Sequence, residues 1–219
     1  MRLRTWGVLI ALCTAFCAAP SAAFALPPVP PVSDAAQAAG LVDVRTVVPD
    51  AVIDLRYATP NNFVGVPMYP ADARCLVHES MAPGLAAAAA VLRQKGEVLV
   101  FWDCYRPHDV QVRMFEAVPD SNWVARPGPY ARSHEAGRSV DVTIANASGL
   151  VDMGTDFDDF TPHGLAYATE GVSTAAQANR ARLRDAMKAG GLTVYKGEWW
   201  HFDTSDAYQK RPILNVAVN

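Results

Sequence analysis

The sequence has no excess of basic residues. Its 19 lysines and arginines are outnumbered by 22 aspartates and glutamates, which gives a formal net charge of −3. Proteins that bind nucleic acid or an anionic membrane surface usually carry clustered positive charge for the phosphates. We therefore expect no nucleic-acid partner. No internal repeat is visible, and 219 residues with 51% hydrophobic content predict one ordinary folded domain.

The chain also lacks an apolar run long enough to cross a bilayer. The run at residues 6–19 is shorter than the about 20 residues that a transmembrane helix needs, and a proline follows it. Two arginines precede the run, and Ala23-Phe24-Ala25 has small residues where a signal peptidase cleaves. We predict a cleaved signal peptide over residues 1–25, a periplasmic domain over 26–219, and no stable membrane anchor in the mature protein.

Cysteine is scarce. Of the four cysteines, two lie within the predicted signal peptide, so the exported chain retains Cys75 and Cys104. Disulfides form and persist in oxidising compartments outside the cytoplasm. We predict a disulfide between these two residues; the alternative is a pair of buried free thiols.

Hydrophobic patterns and turn residues predict strands and helices in irregular order. The predicted strands or extended arms cover residues 44–48, 52–55, 98–102, 139–144, 193–195 and 199–202. The predicted helices cover residues 83–95, 108–117 and 174–189. This order favours an α+β domain with a central, mainly antiparallel sheet and flanking helices over a doubly wound parallel sheet.

The segment 139–144 gives the first indication of a functional site. Its residues alternate between apolar and polar, so that Val140 and Val142 share one face of the strand while Asp141 lies on the other. The apolar face must pack on a core. Asp141 then projects into polar surroundings.

Two histidines and this aspartate form a candidate metal site. His134 and Asp141 are seven residues apart and flank Gly137, whereas His201 lies far downstream beside Glu198. Three protein ligands with a fourth position left for water are typical of catalytic zinc. Zinc lowers the pKa of its water, and a nearby carboxylate such as Glu198 can then act as general base. We predict one zinc ion per chain.

The spacing of Glu198 and His201 imposes a condition on this site. Residues three apart on a regular strand point to opposite faces, so Glu198 can approach the metal only if a turn or bulge precedes the strand. Each residue also has a simpler interpretation. A single histidine is often a surface or core residue, and a glutamate beside two tryptophans often lies at the rim of a hairpin.

Five motifs together resemble the zinc D-alanyl-D-alanine dipeptidases, a family best known from vancomycin resistance. The motifs cover residues 54–63, 102–107, 134–141, 153–158 and 198–201, in the order that the family has them. The resemblance implies a fold like that of the peptidoglycan DD-peptidases and the zinc-binding Hedgehog domain. It also implies that His134, Asp141 and His201 bind zinc and that Glu198 is the catalytic base.

The resemblance assigns further roles around the metal. Arg106 matches the arginine that stabilises the transition state, a role that suits a fixed donor beside a developing oxyanion; the alternative is an ion pair with Asp103. Asp158 matches the residue that binds the ammonium group of the substrate. The remaining matches are to pocket residues: Tyr57, Tyr69 and Ser133.

Three positions depart from the family pattern, and the departures concern recognition of the substrate carboxylate. They are Arg132, Glu135 and Ala136. The function expected is hydrolysis of the dipeptide D-Ala-D-Ala. Two alternatives remain: a zinc DD-carboxypeptidase that acts on peptidoglycan stem peptides, and a zinc-stabilised binding protein without turnover.

Overall fold

The computed structural model describes residues 28–219. Within them, the α-helices are α1 (Asp34–Ala38), α2 (Ala82–Arg93), α3 (His108–Ala117) and α4 (Thr174–Ala189). The strands are β1 (Leu41–Asp43), β2 (Val52–Ile53), β3 (Leu76–His78), β4 (Val98–Asp103), β5 (Ser139–Asn146), β6 (Gly149–Leu150), β7 (Thr193–Val194) and β8 (His201–Asp203).

A six-stranded sheet forms the centre of the domain. Its strand order is β2-β4-β5-β8-β7, and β6 pairs with the end of β5. Only β2 and β4 run parallel; the other pairs in this sheet are antiparallel. Strands β1 and β3 form a separate antiparallel pair. The predicted α+β class with a mainly antiparallel sheet is confirmed.

Helices α2 and α4 pack closely against each other. A Cβ atom added at Gly84 would lie 2.5 Å from the carbonyl oxygen of Gly190, which allows no side chain larger than hydrogen there. Helix α2 also contacts β4, whose residues from Leu99 onward are buried. This packing buries the apolar side chains that flank the central strands.

A disulfide joins the two sheets at the edge of the functional site. Cys75 immediately precedes β3, Cys104 immediately follows β4, and their Cα atoms are 5.3 Å apart. The backbone N–H of Tyr105 donates to the carbonyl oxygen of Leu76 at 2.7 Å, so a hydrogen bond reinforces the covalent link. Both cysteines are buried.

Two predicted strands are wrong in part. Residues 44–46 form a 3-10 helix because the Asp43 side chain accepts a hydrogen bond from the backbone of Arg45 and caps it. The predicted strand 199–202 begins only at His201, since the preceding residues follow a turn. Helix α1 was not predicted; its five residues are too few for a periodic signal.

The predicted signal peptide, residues 1–25, lies outside the described residues. Among residues 28–219, no helix is long and apolar enough to cross a membrane.

The disulfide generates a prediction about stability. It closes a loop with a sequence separation of 29 residues. Replacing both Cys75 and Cys104 with serine should lower the free energy of unfolding by about 3 to 4 kcal/mol, because the unfolded chain gains conformational entropy. Urea denaturation of the oxidised protein and of the double variant measures the difference. Peptide mapping that finds two freely alkylated thiols in the exported protein would contradict the pairing.

Candidate metal centre and active site

Three side chains that are far apart in the sequence converge beside the central sheet. Asp141 on β5 and His201 on β8 are directly opposite each other in the antiparallel register. His134 comes from a short 3-10 helix, Ser133–Ala136, that leads into β5. Pairing of two strands therefore places two of the side chains, and the turn before β5 places the third.

Gly137 makes this turn possible. It ends the 3-10 helix with a φ of +64°, a left-handed conformation that glycine adopts without steric cost. A Cβ atom at this position would also lie 2.8 Å from a methyl carbon of Leu41. The sequence between His134 and Asp141 therefore requires a glycine both for the turn and for close packing.

The donor atoms of the three residues have the spacing of a metal site. His134 Nε2 lies 3.0 Å from His201 Nδ1, Asp141 Oδ1 lies 3.0 Å from His201 Nδ1, and His134 Nε2 lies 3.3 Å from Asp141 Oδ1. Donors bound tetrahedrally to one zinc at about 2.0 to 2.1 Å would lie about 3.3 Å apart. Two imidazoles and one carboxylate are also a donor set that suits zinc.

Hydrogen bonds on the far side of each imidazole determine which nitrogen faces the site. His134 Nδ1 donates to the carbonyl oxygen of Cys104 at 2.8 Å, and His201 Nε2 donates to Asp203 at 3.0 Å. The opposite nitrogens are therefore free of protons in the neutral rings and point lone pairs at the carboxylate of Asp141. Three lone pairs that converge without a proton repel one another unless a cation lies between them.

The electrostatics around these residues also favour a cation. Burial would raise the pKa of Asp141, but His134 and His201 hold it well below the ordinary value. Burial would likewise lower the pKa of His201, but Asp141 and Asp203 raise it well above the ordinary value. The two shifts describe one ion pair between Asp141 and a protonated His201, whose proton a divalent cation would displace.

Glu198 lies beside the candidate metal centre. It precedes β8 in an irregular segment after the turn at residues 196–197, so the distortion predicted from its spacing is present. Its Oε2 lies 3.7 Å from His201 Nδ1. Burial, with a further contribution from Asp141, raises its pKa to about 7. A carboxylate with such a pKa can both accept and release a proton near neutral pH.

Arg106 enters the same cavity from the segment after β4. Its Nε and Nη2 donate to Asp103 Oδ2 at 3.0 and 2.6 Å, and its Nη1 donates to Gln111 at 2.7 Å. Burial would lower the pKa of the guanidinium, but Asp103 raises it well above the ordinary value. Arg106 is therefore a fixed positive charge. It lines the cavity and also forms the ion pair with Asp103 that the sequence offered as an alternative, so the two interpretations are compatible.

Asp158 is a second, half-buried carboxylate in the cavity. It has a φ of +56°, which is uncommon for a residue other than glycine. The hydroxyl of Tyr57 donates to its Oδ2 at 2.9 Å. Burial, together with Asp141 and Glu198, raises the pKa of Asp158 well above the ordinary value. An approaching cation would relieve this electrostatic strain.

The cavity that contains these residues has a volume of about 260 Å³. This lies just below the range of about 300 to 1,000 Å³ that is common for small-molecule sites. Aromatic rings from three separate loops form part of its wall: Phe63, Trp123 and Phe160. The rings of Trp123 and Phe160 stack with centroids 5.2 Å apart. The cavity therefore suits a small ligand.

The structure also places the residues that depart from the family pattern. Arg132 and Glu135 line the cavity, whereas Ala136 is buried and does not line it. Ser133, which matches a pocket residue of the family, also lines the cavity. The carboxylate of Glu135 lies 2.6 Å from Nδ1 of His108, so this acid is engaged by a neighbouring side chain.

Tyr69 is not among the residues that line the cavity. Its buried hydroxyl donates to Asp103 Oδ1 at 2.6 Å and so supports the carboxylate that holds Arg106. A contact between Tyr69 and substrate stays a prediction.

Comparison with known proteins assigns the chain to a family. A family model described as D-Ala-D-Ala dipeptidase matches residues 37–219. The chain belongs to the D-Ala-D-Ala dipeptidase family. It is 35% identical to the D-alanyl-D-alanine dipeptidase of Escherichia coli over 76% of this chain and 86% of that protein. It is 30% identical to that of Enterococcus faecium over 70% of this chain and 85% of that protein.

A solved structure of the LD-carboxypeptidase LdcB is a more distant match. It covers 59% of each chain with 19% sequence identity and a TM-score of 0.40. Membership of the dipeptidase family makes this protein a metallopeptidase, and the candidate site lies entirely within the matched residues.

Two residues of the site, Gln111 and Asp203, were not predicted from the sequence. Gln111 on α3 links Arg106 to the carbonyl oxygen of Ala125 at 2.7 Å. Asp203 supports His201. A sequence signal existed for Asp203, because residues two apart on a strand share one face and His201 was already a candidate ligand.

The metal centre generates a prediction about metal content. We expect the purified protein to bind about one zinc per chain and His201→Ala to lose most of it, because zinc sites with two remaining protein ligands bind weakly. Elemental analysis after dialysis measures the metal. His163→Ala is the matched control, since His163 is exposed and outside the cavity. Full zinc retention in His201→Ala would reject the assignment.

Proposed function

We propose that this member of the D-Ala-D-Ala dipeptidase family hydrolyses D-alanyl-D-alanine to two molecules of D-alanine, with zinc as its cofactor. The observation that carries the proposal is the convergence of three lone-pair donors beside the carboxylate of Glu198, whose Oε2 lies 3.7 Å from His201 Nδ1. The match to D-alanyl-D-alanine dipeptidases over most of the chain supports the substrate.

His134, Asp141 and His201 would hold the zinc ion. When bound there, zinc would supply Lewis-acid catalysis and lower the pKa of water in the cavity. The carbonyl oxygen of Cys104 and the carboxylate of Asp203 keep the two imidazoles in the tautomers that this requires.

Glu198 moves the proton. Its carboxylate accepts a proton from the water that attacks the peptide carbonyl, and it then delivers that proton to the nitrogen of the leaving D-alanine. The peptide C–N bond breaks as the nitrogen is protonated, so one water molecule is consumed for each dipeptide. A pKa of about 7 suits a group that must do both. A binding protein without turnover has no use for such a base.

Arg106 stabilises the oxyanion that forms when the carbonyl is attacked. Its three hydrogen bonds to Asp103 and Gln111 fix the guanidinium before substrate arrives, so little reorganisation accompanies the reaction. Tyr69 contributes indirectly through Asp103.

Asp158 selects a substrate with a free amino terminus. An ammonium group would pair with this half-buried carboxylate, whereas the amide of a longer peptide would leave it unpaired, at a cost in binding. Asp158 therefore favours a dipeptide over a stem peptide, and Tyr57 orients it. A cavity of about 260 Å³ agrees with a small substrate.

We also propose that the protein acts in the periplasm after export. The basic and apolar start of the sequence and the bridge between Cys75 and Cys104 support this location.

Glu198→Ala separates binding from catalysis. This variant should retain zinc and its fold but should lose about 10² to 10⁴-fold in kcat for D-Ala-D-Ala, the usual contribution of a general base. Mass spectrometry of released D-alanine measures turnover. Glu79→Ala, a change at an exposed glutamate outside the cavity, is the control and should retain activity. A zinc-loaded Glu198→Ala protein with half of the wild-type rate would show that Glu198 is not the base.

Asp158→Asn tests selectivity for the dipeptide. Because the ammonium would lose its charged partner, kcat/KM for D-Ala-D-Ala should fall by at least about tenfold, which corresponds to about 1.4 kcal/mol. An N-acetylated dipeptide has no ammonium, so its hydrolysis should be affected far less. The neighbouring acid supplies the control: Asp159→Asn should leave both substrates unaffected.

The result can also favour the carboxypeptidase alternative. Equal losses on the free and acetylated dipeptides would mean that Asp158 supports only the loop. Faster hydrolysis of a muramyl pentapeptide than of D-Ala-D-Ala by the wild type would then identify a DD-carboxypeptidase.

A further inference from the structure

Asp203 is a buried carboxylate that is not one of the candidate metal ligands and moves no proton in the proposed reaction. It lies two residues after His201 on β8 and is 6% exposed. Its Oδ1 accepts a hydrogen bond from His201 Nε2 at 3.0 Å, on the side of the ring opposite the candidate metal centre. The carboxylate therefore lies directly behind a ring whose other nitrogen faces that centre.

Two hydroxyl groups hold this carboxylate in place. Ser139 Oγ donates to Oδ1, and the hydroxyl of Tyr208 donates to Oδ2 at 3.0 Å. Ser139 stands opposite Asp203 in the pairing of β5 with β8, so the sheet itself sets this contact. Tyr208 belongs to the wall of the cavity. Asp203 therefore has little freedom to turn away from His201.

The two histidines are supported unequally. His134 donates to a neutral backbone carbonyl, whereas His201 donates to a buried anion. An anionic acceptor draws the Nε2 proton more strongly and places more electron density on the opposite nitrogen, which makes that nitrogen a better metal donor. His201 Nδ1 is the donor atom that this carboxylate would strengthen.

We propose that Asp203 is a positioning residue that sets the metal affinity of the site through His201. It fixes the ring orientation and the neutral tautomer with Nδ1 free, while Ser139 and Tyr208 hold Asp203 itself. This proposal rests on the metal-dependent function proposed above. It assigns to Asp203 no contact with substrate.

Asp203→Asn tests the proposal, since it removes the charge and keeps the size of the side chain. Zinc affinity, measured by competition with a chromogenic chelator, should fall about 10 to 100-fold, the usual effect of losing such a partner. The rise in melting temperature on adding zinc should shrink in parallel. Both readouts are independent of turnover.

The matched control is Asp206→Asn. Asp206 lies in the adjoining turn and bonds to Arg138 and Arg211 rather than to a candidate ligand. This change should leave zinc affinity unaltered even if it lowers the melting temperature of the metal-free protein. Ser139→Ala gives a second, independent variant that removes one donor to Asp203 and should weaken zinc binding in the same direction.

The outcomes separate this inference from the proposed function. Wild-type affinity in both Asp203→Asn and Ser139→Ala would overturn the role of Asp203 while leaving the metal site intact. An equal loss in the Asp206→Asn control would also overturn it, because the effect would then be general destabilisation. If the wild type itself bound no zinc, the proposed function would fail first.

Discussion

Three lone pairs point at one place beside the central sheet, and the rest of the site depends on that constraint. Donor atoms of His134, Asp141 and His201 approach one another within 3.0 to 3.3 Å. The strand pairing around them holds these donors together, and the repulsion between their lone pairs is relieved by a proton on His201 or by a divalent cation between them. A fold that holds this arrangement in its interior stabilises a divalent cation there, and binding of that cation in turn stabilises the fold.

Two buried aspartates, one on each side of this centre, hold the functional side chains in place. On one side Asp103, held by Tyr69, keeps Arg106 charged and in place. On the other side Asp203, held by Ser139 and Tyr208, keeps His201 in the tautomer that binds metal. Each buried anion has hydrogen-bond donors as well as an opposing group, which is what makes its burial tolerable. Asp158 differs, because only Tyr57 donates to it among the described residues.

Much of the fold followed from local patterns, and the failures have identifiable causes. Strand β4 was predicted from a continuous apolar run and β5 from the alternation of apolar and polar residues. Helix α4 was predicted from the capping-box spacing at its start and the two glycines at its end. Residues 44–48 were assigned to a strand from their β-branched side chains, yet the cap supplied by Asp43 turns the first three of them, 44–46, into a 3-10 helix. Tyr69 was matched to a pocket residue by alignment, and its bond to Asp103 could not be predicted because the two residues are 34 positions apart.

The sequence by itself determined the chemistry available: two imidazoles, a carboxylate at the right spacing, a glycine for the turn, and a glutamate before the last histidine. The type of donor atom is set by the residue itself, and the local conformation is set largely by the adjacent residues. Both can therefore be inferred from the sequence. Only the tertiary structure decided which nitrogen of each ring faces the metal centre and which acids are buried unpaired. Those properties depend on partners such as the Cys104 carbonyl, 30 residues from His134, which the fold alone brings within hydrogen-bonding distance.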